Sequence, residues 1–330
     1  MRFFKSAPKE PVKTGFMGDT SPEMDLCLVQ FKEWIGATEI ASMEQLHFDD
    51  HDLLRFARAR KFDLPAMQLM FTNFMNWRRD QGVDTIIDTY KFDERAAVQE
   101  VYPHGYHGVD KLGRPVYIER FGLLNVARLF EISSEERVIR HYIQEYEIMM
   151  KLKFPACSAV KGEKVNQGLT IFDMTHGSIT TANSHTYGLC KLAAKVGSDY
   201  YPEIMGNLFI VNAPMLFSGI WAIVKGFLDE KTRGKIKILG GNFMPTLEQH
   251  WDRASIPSFM GGECECAHVE GGCISSNIGP WNDFEIHGTG IRPKQHQATQ
   301  EEEAKTEEVK TEEVAAVSEG AASAQAAAAQ

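Results

Sequence analysis

The chain has 330 residues, 43% of them hydrophobic, enough for an ordinary core in one or two domains. Its formal net charge is -10, but residues 301–330 hold eight Glu and two Lys, so the remainder carries only about -4. A mildly acidic body excludes bulk nucleic-acid binding, which needs a strong basic footprint. Six scattered cysteines suit free thiols in a reducing compartment, the cytosol, better than a disulfide framework.

Residues 1–22 lack a continuous apolar run and read as a flexible N-terminus, not a secretory signal. Residues 23–100 read as a helical unit. Leu28, Phe31 and Ile35 fall at helical spacing, a second helix starts near Asp50, and a third starts near Asp63 with Pro65 in its first turn. Met67, Met70, Phe71, Phe74 and Trp77 share one face of the third, and Gly82 stops it.

The pattern changes over residues 101–285. "YHGVDKLGRPVYIERFG" predicts a turn followed by a strand. "SSEE" at 133–136 is a capping box before a long helix expected to end ahead of Pro155. "GLTIFDM" and "GNLFIVNAP" are short apolar runs that predict buried strands, "NSHTYGLCKLAAKVG" and "MLFSGIWAIVKGFL" predict helices, and "KIKILGG" predicts a last strand. Strands alternating with helices imply an α/β lobe with a mostly parallel sheet. Residues 286–330 read as a disordered Glu/Ala-rich tail with the short repeat "KTEEVKTEEV".

The stretch "LFIVNAPMLFSGIWAIVKGFL" approaches the ~20 residues of a membrane span. Asn212, Pro214 and Lys225 interrupt it, so it reads as a buried strand handing over to a helix. That helix, 215–228, has one apolar stripe of Phe217, Ile220, Trp221, Val224 and Leu228 and a second of Leu216, Ile223 and Phe227. A helix apolar on most sides must be buried or face lipid. Five bases between Lys225 and Lys237 against two acids leave a local +3 beside it, a combination suited to an anionic membrane surface.

"FARARKFDLPAM", "YPHGYHGVDKLGRPVYIERFG", "YYPEIMGNLFIVNAP", "KGFLDEKTRGKIKILGG", "IPSFMGGECE" and "SNIGPWND" occur in order over residues 49–281. Together they resemble the CRAL-TRIO lipid-binding family, nearest its secretory-pathway phosphatidylinositol/phosphatidylcholine transfer proteins. The resemblance implies a helical unit, then a lobe whose sheet floors a deep pocket for one phospholipid, gated by the 215–228 helix. It implies that Lys235 and Thr232 hold a phosphatidylinositol headgroup, with Glu203 on inositol hydroxyls or on Lys235 and with Arg60 and Lys61 assisting. Charge-assisted donors are what a phosphodiester in an apolar pocket needs. For phosphatidylcholine it implies Tyr106, Tyr117, Tyr146 and Thr170, aromatic faces suiting a quaternary ammonium. Where relatives carry a hydroxyl on the choline-lipid phosphate, this chain has Gly168, and "DMTHGSITT" also departs from the family wording.

The function so implied is phospholipid exchange at membrane surfaces, or presentation of the inositol lipid to a phosphoinositide kinase, in support of phosphoinositide signalling and vesicle trafficking. It implies a cytoplasmic monomer with transient association at Golgi, endosomal or other membranes. The alternative is a sensor or carrier of another hydrophobe, a sterol or tocopherol, acting through a protein partner. No enzyme is expected. Asp173, His176 and Ser178 follow a strand, but no G-x-S-x-G elbow occurs, and "GTGIRP" lacks a dinucleotide-loop context. No cofactor is expected beyond the bound phospholipid. Cys264, Cys266, His268 and Cys273 are possible zinc ligands, but the first spacing is tighter than a zinc site usually has, so no metal is expected.

Overall fold

The structure, a computed structural model, describes residues 13–177, 184–214, 217–228, 230–287 and 290–293. The chain divides between Ile291 and Arg292 into two units, and all that follows concerns the first. Most of the sequence-predicted tail, from residue 294 on, lies outside the described residues, as do residues 1–12.

The first hundred residues are helical. Ser21 caps Pro22–Thr38, Asp49 and Asp52 form a capping box on Asp50–Ala59, and Asp63 caps Leu64–Gln81, which ends at Gly82 with φ 60°. Phe31, Phe56, Phe71 and Phe74 are buried at the centre of this unit, with ring centroids 5.1–5.8 Å apart between neighbours. These separations are those of favourable edge and offset packing.

Five strands form the lobe's sheet, in the order β1 (His104–Val109), β2 (Pro115–Glu119), β3 (Gly168–Asp173), β4 (Met205–Val211) and β5 (Ile236–Ile238). β2 to β5 are parallel and β1 is antiparallel to β2. The predicted turn-then-strand is therefore a hairpin. Its first arm, "HGYHGV", contains two glycines and two histidines and lacks the β-branched run that marks a strand.

Alternation splits the sheet's side chains between two environments. Val116, Ile118, Leu169, Ile171, Phe209 and Val211 face one core with Trp251 and Ile256. Tyr117, Thr170, Leu208 and Ile236 share one cross-strand row on the other face, with Tyr106 paired to Tyr117 at its β1 end. That second face floors a cavity.

Two predicted boundaries move. The long helix is capped by Ser134, which accepts from the Arg137 N–H, while Ser133 donates to Glu94 instead. The helix also does not end ahead of Pro155. Glu135–Ile148 passes through a π-turn, Met149–Lys153, into Phe154–Lys161. Pro155 sits at the start of that last segment, where its missing N–H is tolerated, and Gly162 stops it.

A buried ion pair ties the helical unit to the lobe. Arg78 donates to both oxygens of Glu147, at 2.7 and 3.0 Å, and Tyr201 Oη donates to Glu147 at 2.7 Å. Burial alone pushes the Glu147 carboxyl up, but Arg78 and its other donors bring it below the ordinary range. Trp77 stacks on Tyr200 beside this pair, centroids 3.9 Å apart. Arg78→Ala or Glu147→Ala leaves the partner charge buried, and each should cost about 3–5 kcal/mol in urea unfolding. The double variant Arg78→Met/Glu147→Leu should recover most of that loss. Additive losses in the double variant would show that the pair is not one unit.

Candidate functional site

Every sequence-predicted headgroup residue lines one cavity of about 630 Å³: Lys235, Thr232, Glu203, Arg60 and Lys61, and Tyr106, Tyr117, Tyr146 and Thr170. These positions span 176 residues of chain, and the sheet brings them together. Most of the remaining wall is apolar, including Met149, Leu189, Leu208 and Ile210.

The cavity has two polar poles. At the β5 end, Lys235 Nζ donates to Glu203 Oε2 at 2.8 Å, and Arg58 Nε lies 3.8 Å from the same oxygen. Glu203 follows Pro202 in a tight turn and holds a left-handed backbone, φ 63°, an uncommon conformation for a non-glycine residue. Gln167 Nε2 donates to its carbonyl at 3.1 Å, and Arg55 Nη1 donates to the Pro202 carbonyl at 3.3 Å. Thr232 lies on the short helix Glu230–Gly234, and its carbonyl accepts from the Lys235 N–H at 3.1 Å. Arg60 and Lys61 are at the C-terminal end of Asp50–Ala59, with Lys61 exposed. Arg58 is buried at this pole, as is Arg55, and the Arg58 guanidinium lies 3.8 Å from the Phe16 ring centroid.

The other pole, at the β1 end, is aromatic. Tyr106 and Tyr117 have centroids 4.8 Å apart, and Tyr146 stacks on Tyr201 at 4.6 Å. One face of Tyr106 is taken by the Lys153 ammonium, 4.1 Å from its centroid. Lys153 is buried in the π-turn and donates to Asn277 Oδ1 at 2.9 Å; desolvation lowers its pKa to about 8.

Glu119, the last residue of β2, is a cavity residue that sequence reading missed. Its carboxylate accepts from Tyr102 Oη, which in turn accepts from Tyr142 Oη at 3.0 Å. Burial pushes its pKa up to about 7, with the Tyr102 hydrogen bond pulling the other way. Period-2 alternation with Tyr117 was the available signal, since it sets Glu119 on the cavity face.

Gly168 lines the cavity without a hydroxyl, although a side chain would fit. A Cβ there would meet the Pro115 carbonyl oxygen at 3.4 Å and Met149 Sδ at 3.9 Å. Of the residues expected on a gate helix, Trp221 and Leu228 line the cavity and Phe217 is buried against Met174, Leu208 and Ile210. The side chains of Ile220, Val224 and Phe227 lie outside the described residues. No described helix is long and apolar enough to cross a membrane.

Of the hydrolase-like trio, Asp173 is committed to a turn. The Asp173 carboxylate accepts from the Thr175 N–H, the Thr175 hydroxyl and the Asn212 amide, at 2.6–3.0 Å. His176 is exposed, and Ser178 lies outside the described residues. Asp173 thus closes a turn.

Comparison with known proteins gives a consistent result. Residues 99–262 match the CRAL/TRIO domain model. The chain is 38% identical over 285 residues to the "SEC14 cytosolic factor" of Kluyveromyces lactis, covering 86% of this chain and 93% of that protein. It is 42% identical over 257 residues to the "Phosphatidylinositol/phosphatidylcholine transfer protein SFH7" of Arabidopsis thaliana. That match covers 78% of this chain, which spans about half, 47%, of the plant protein's length. The solved structure "Crystal structure of Sfh5" superposes with a TM-score of 0.56 at 18% identity, over 69% of this chain and 83% of that one, a likeness of fold.

The Glu119 environment yields a test. Its folded pKa lies above its unfolded value, so its contribution to stability is present at low pH and is lost as pH rises through about 7. Glu119→Gln, neutral throughout, should therefore be more stable than the parent near about pH 8, by up to about 3 kcal/mol. The gain should shrink toward zero below about pH 4.5. Urea midpoints at the two ends of that window measure it, and an equal gain at both would show that ionisation carries no penalty.

Proposed function

This chain belongs to the CRAL/TRIO family, and we propose that it binds one phosphatidylinositol or phosphatidylcholine at a time and exchanges it at membrane surfaces. The observation that carries the reading is one cavity that combines an apolar wall, a cationic pole at Lys235 and an aromatic pole at Tyr106 and Tyr117. A diacyl lipid has the complementary chemistry: apolar chains, a phosphate, and either a polyol or a quaternary ammonium.

At the cationic pole the Lys235 ammonium has three donors and gives one to Glu203, leaving donors for a phosphate oxygen. Glu203 has acceptor capacity left for inositol hydroxyls. At the aromatic pole a quaternary ammonium meets the open faces of the tyrosines and a carboxylate, Glu119, whose ionisation a bound cation favours. The missing hydroxyl at Gly168 weakens the choline-lipid phosphate site and leaves the inositol pole intact.

Phe217, Trp221 and Leu228 support a gating role for their helix: shut, it covers acyl chains; open, its apolar side chains enter the bilayer surface. Presentation of the inositol lipid to a kinase, a monomeric state, and transient work at cytosolic membrane faces complete the proposal. A sterol or tocopherol carrier is less favoured, because neither ligand has a use for the Lys235–Glu203 pole.

Mass spectrometry of lipid co-purified with the protein should find phosphatidylinositol and phosphatidylcholine, and a sterol alone would overturn the reading. Lys235→Ala should cut phosphatidylinositol transfer between vesicles at least tenfold and leave phosphatidylcholine transfer within about twofold, the loss of one charge-assisted hydrogen bond being worth about 1.5–3 kcal/mol. Gly168→Ser should raise phosphatidylcholine transfer relative to phosphatidylinositol. Equal loss of both lipids in Lys235→Ala, with the fold intact, would remove Lys235 from the headgroup site.

A further inference from the structure

His107, Cys264, Cys266 and Cys273 converge, with one possible ligand atom from each and all four atoms within 4.8 Å of one another. Three of the residues are buried and Cys264 is half-buried. We propose that this cluster is a structural zinc site of the Cys3His type, bound on the far face of the sheet from the lipid cavity.

The set differs from the one the sequence suggests. His268 is exposed and outside the cluster, and its place is taken by His107, 157 residues before Cys264 on β1. Strand alternation explains the switch. Tyr106 faces the cavity, so its neighbour His107 faces the opposite side, where the segment after Trp251 is packed.

The geometry matches tetrahedral zinc at several points. Zn–S bonds of ~2.3 Å at tetrahedral angles place sulfurs ~3.8 Å apart. Cys264 Sγ and Cys266 Sγ are 3.7 Å apart, and Cys266 Sγ lies 4.0 Å from His107 Nδ1. The widest pair needs a contraction of about an ångström to close the tetrahedron. The other ring nitrogen, His107 Nε2, is 3.1 Å from the Ser255 carbonyl oxygen. Donation there fixes the tautomer that leaves Nδ1 with a lone pair, the usual support for a metal-bound histidine. Nδ1 now lies 2.9 Å from Ser276 Oγ, a contact that the metal would replace.

The backbone is shaped to bring the thiols together. Cys266 has a left-handed backbone, φ 46°, although it is not glycine. Gly271 and Gly272, at φ 82° and 60°, turn the chain back, so that Cys273 Sγ reaches the Cys264 carbonyl at 3.2 Å. Three sulfurs and one imidazole favour zinc over the hard cations, which take oxygen. Binding displaces the three thiol protons and involves no electron transfer. The ion would fasten the segment around 264–276 to β1 one residue away from Tyr106.

The test uses the full chain purified from cells without added metal and passed through a mild chelator. Elemental analysis should find one zinc per chain. Cobalt exchanged into the protein should give the absorption of tetrahedral cobalt with thiolate ligands. His107→Ala and Cys273→Ser should weaken zinc binding by more than the ~10–100-fold that loss of an outer partner costs. His268→Ala should keep zinc and its affinity. A site emptied by His268→Ala but not by His107→Ala would overturn the assignment. So would a parent protein with neither zinc nor a thiolate–cobalt spectrum, a readout that holds even if the ligand variants do not fold. A disulfide among Cys264, Cys266 and Cys273 in the non-reduced peptide map would overturn it as well. None of these readouts involves lipid, so failure here leaves the transfer proposal untouched.

Discussion

The turn Tyr201–Pro202–Glu203 is the point on which the rest of the lobe depends. It joins the Ser184–Tyr200 helix to β4 and holds Glu203 in a left-handed conformation that costs of order 1–3 kcal/mol. The cost is offset by what the turn receives. Tyr201 bonds Glu147, Arg55 bonds the Pro202 carbonyl, Gln167 bonds the Glu203 carbonyl, and Lys235 and Arg58 face the Glu203 carboxylate. Arg55 and Arg58 come from the helical unit, and Arg78 of the same unit reaches the turn through Glu147. The helical unit therefore helps build the cationic pole, and its arginines set where Glu203, and through it Lys235, can stand.

How much of this was legible in the sequence depends on what each residue has to do. β3 and β4 have one face on a core and the other on the apolar wall of the cavity, and so read as continuous apolar runs that could be found. The Asp49 and Asp63 caps and the Gly82 stop were equally plain, because a cap is a local arrangement. β1 was not, since its strand character comes from pairing with β2 and its glycine is imposed from outside: a Cβ at Gly105 would lie 2.2 Å from the Ile274 carbonyl oxygen. The π-turn before Pro155 is likewise a tertiary solution to a local conflict. Headgroup candidates were legible by resemblance, and the structure supplied what resemblance did not. Burial of Glu119, the arginine at position 58 and the meeting of His107 with three distant cysteines all rest on contacts across more than the local window.

The sheet's register also fixes the relation between the two poles. Tyr106, Tyr117, Thr170, Leu208 and Ile236 form a single row across five strands, and Lys235 adjoins its far end through the Leu208 N–H to Lys235 carbonyl bond. Four interstrand steps set the aromatic and cationic ends about 19 Å apart. A lipid anchored by its headgroup at either pole must lay its chains along the same apolar wall toward the other. On the proposed reading the two lipids exclude one another by sharing the wall, and the poles never need to be filled together.

On the proposed reading exchange requires the wall to open at the helix that begins at Phe217. Among its described side chains only Phe217 is buried, in a cluster of four residues, while Ala222 and Lys225 are exposed. Gly219 and Gly226 lie on this stretch with nothing within 4 Å of where a Cβ would be. Glycines lower helix stability by about 1 kcal/mol each relative to alanine. The parallel strands beneath are held by a core of Trp251, Phe209 and Ile256 on the face opposite the cavity. On the proposed reading, placing this core on one face of the sheet and the lipid-covering helix on the other lets the cavity open without loosening the sheet that carries both poles.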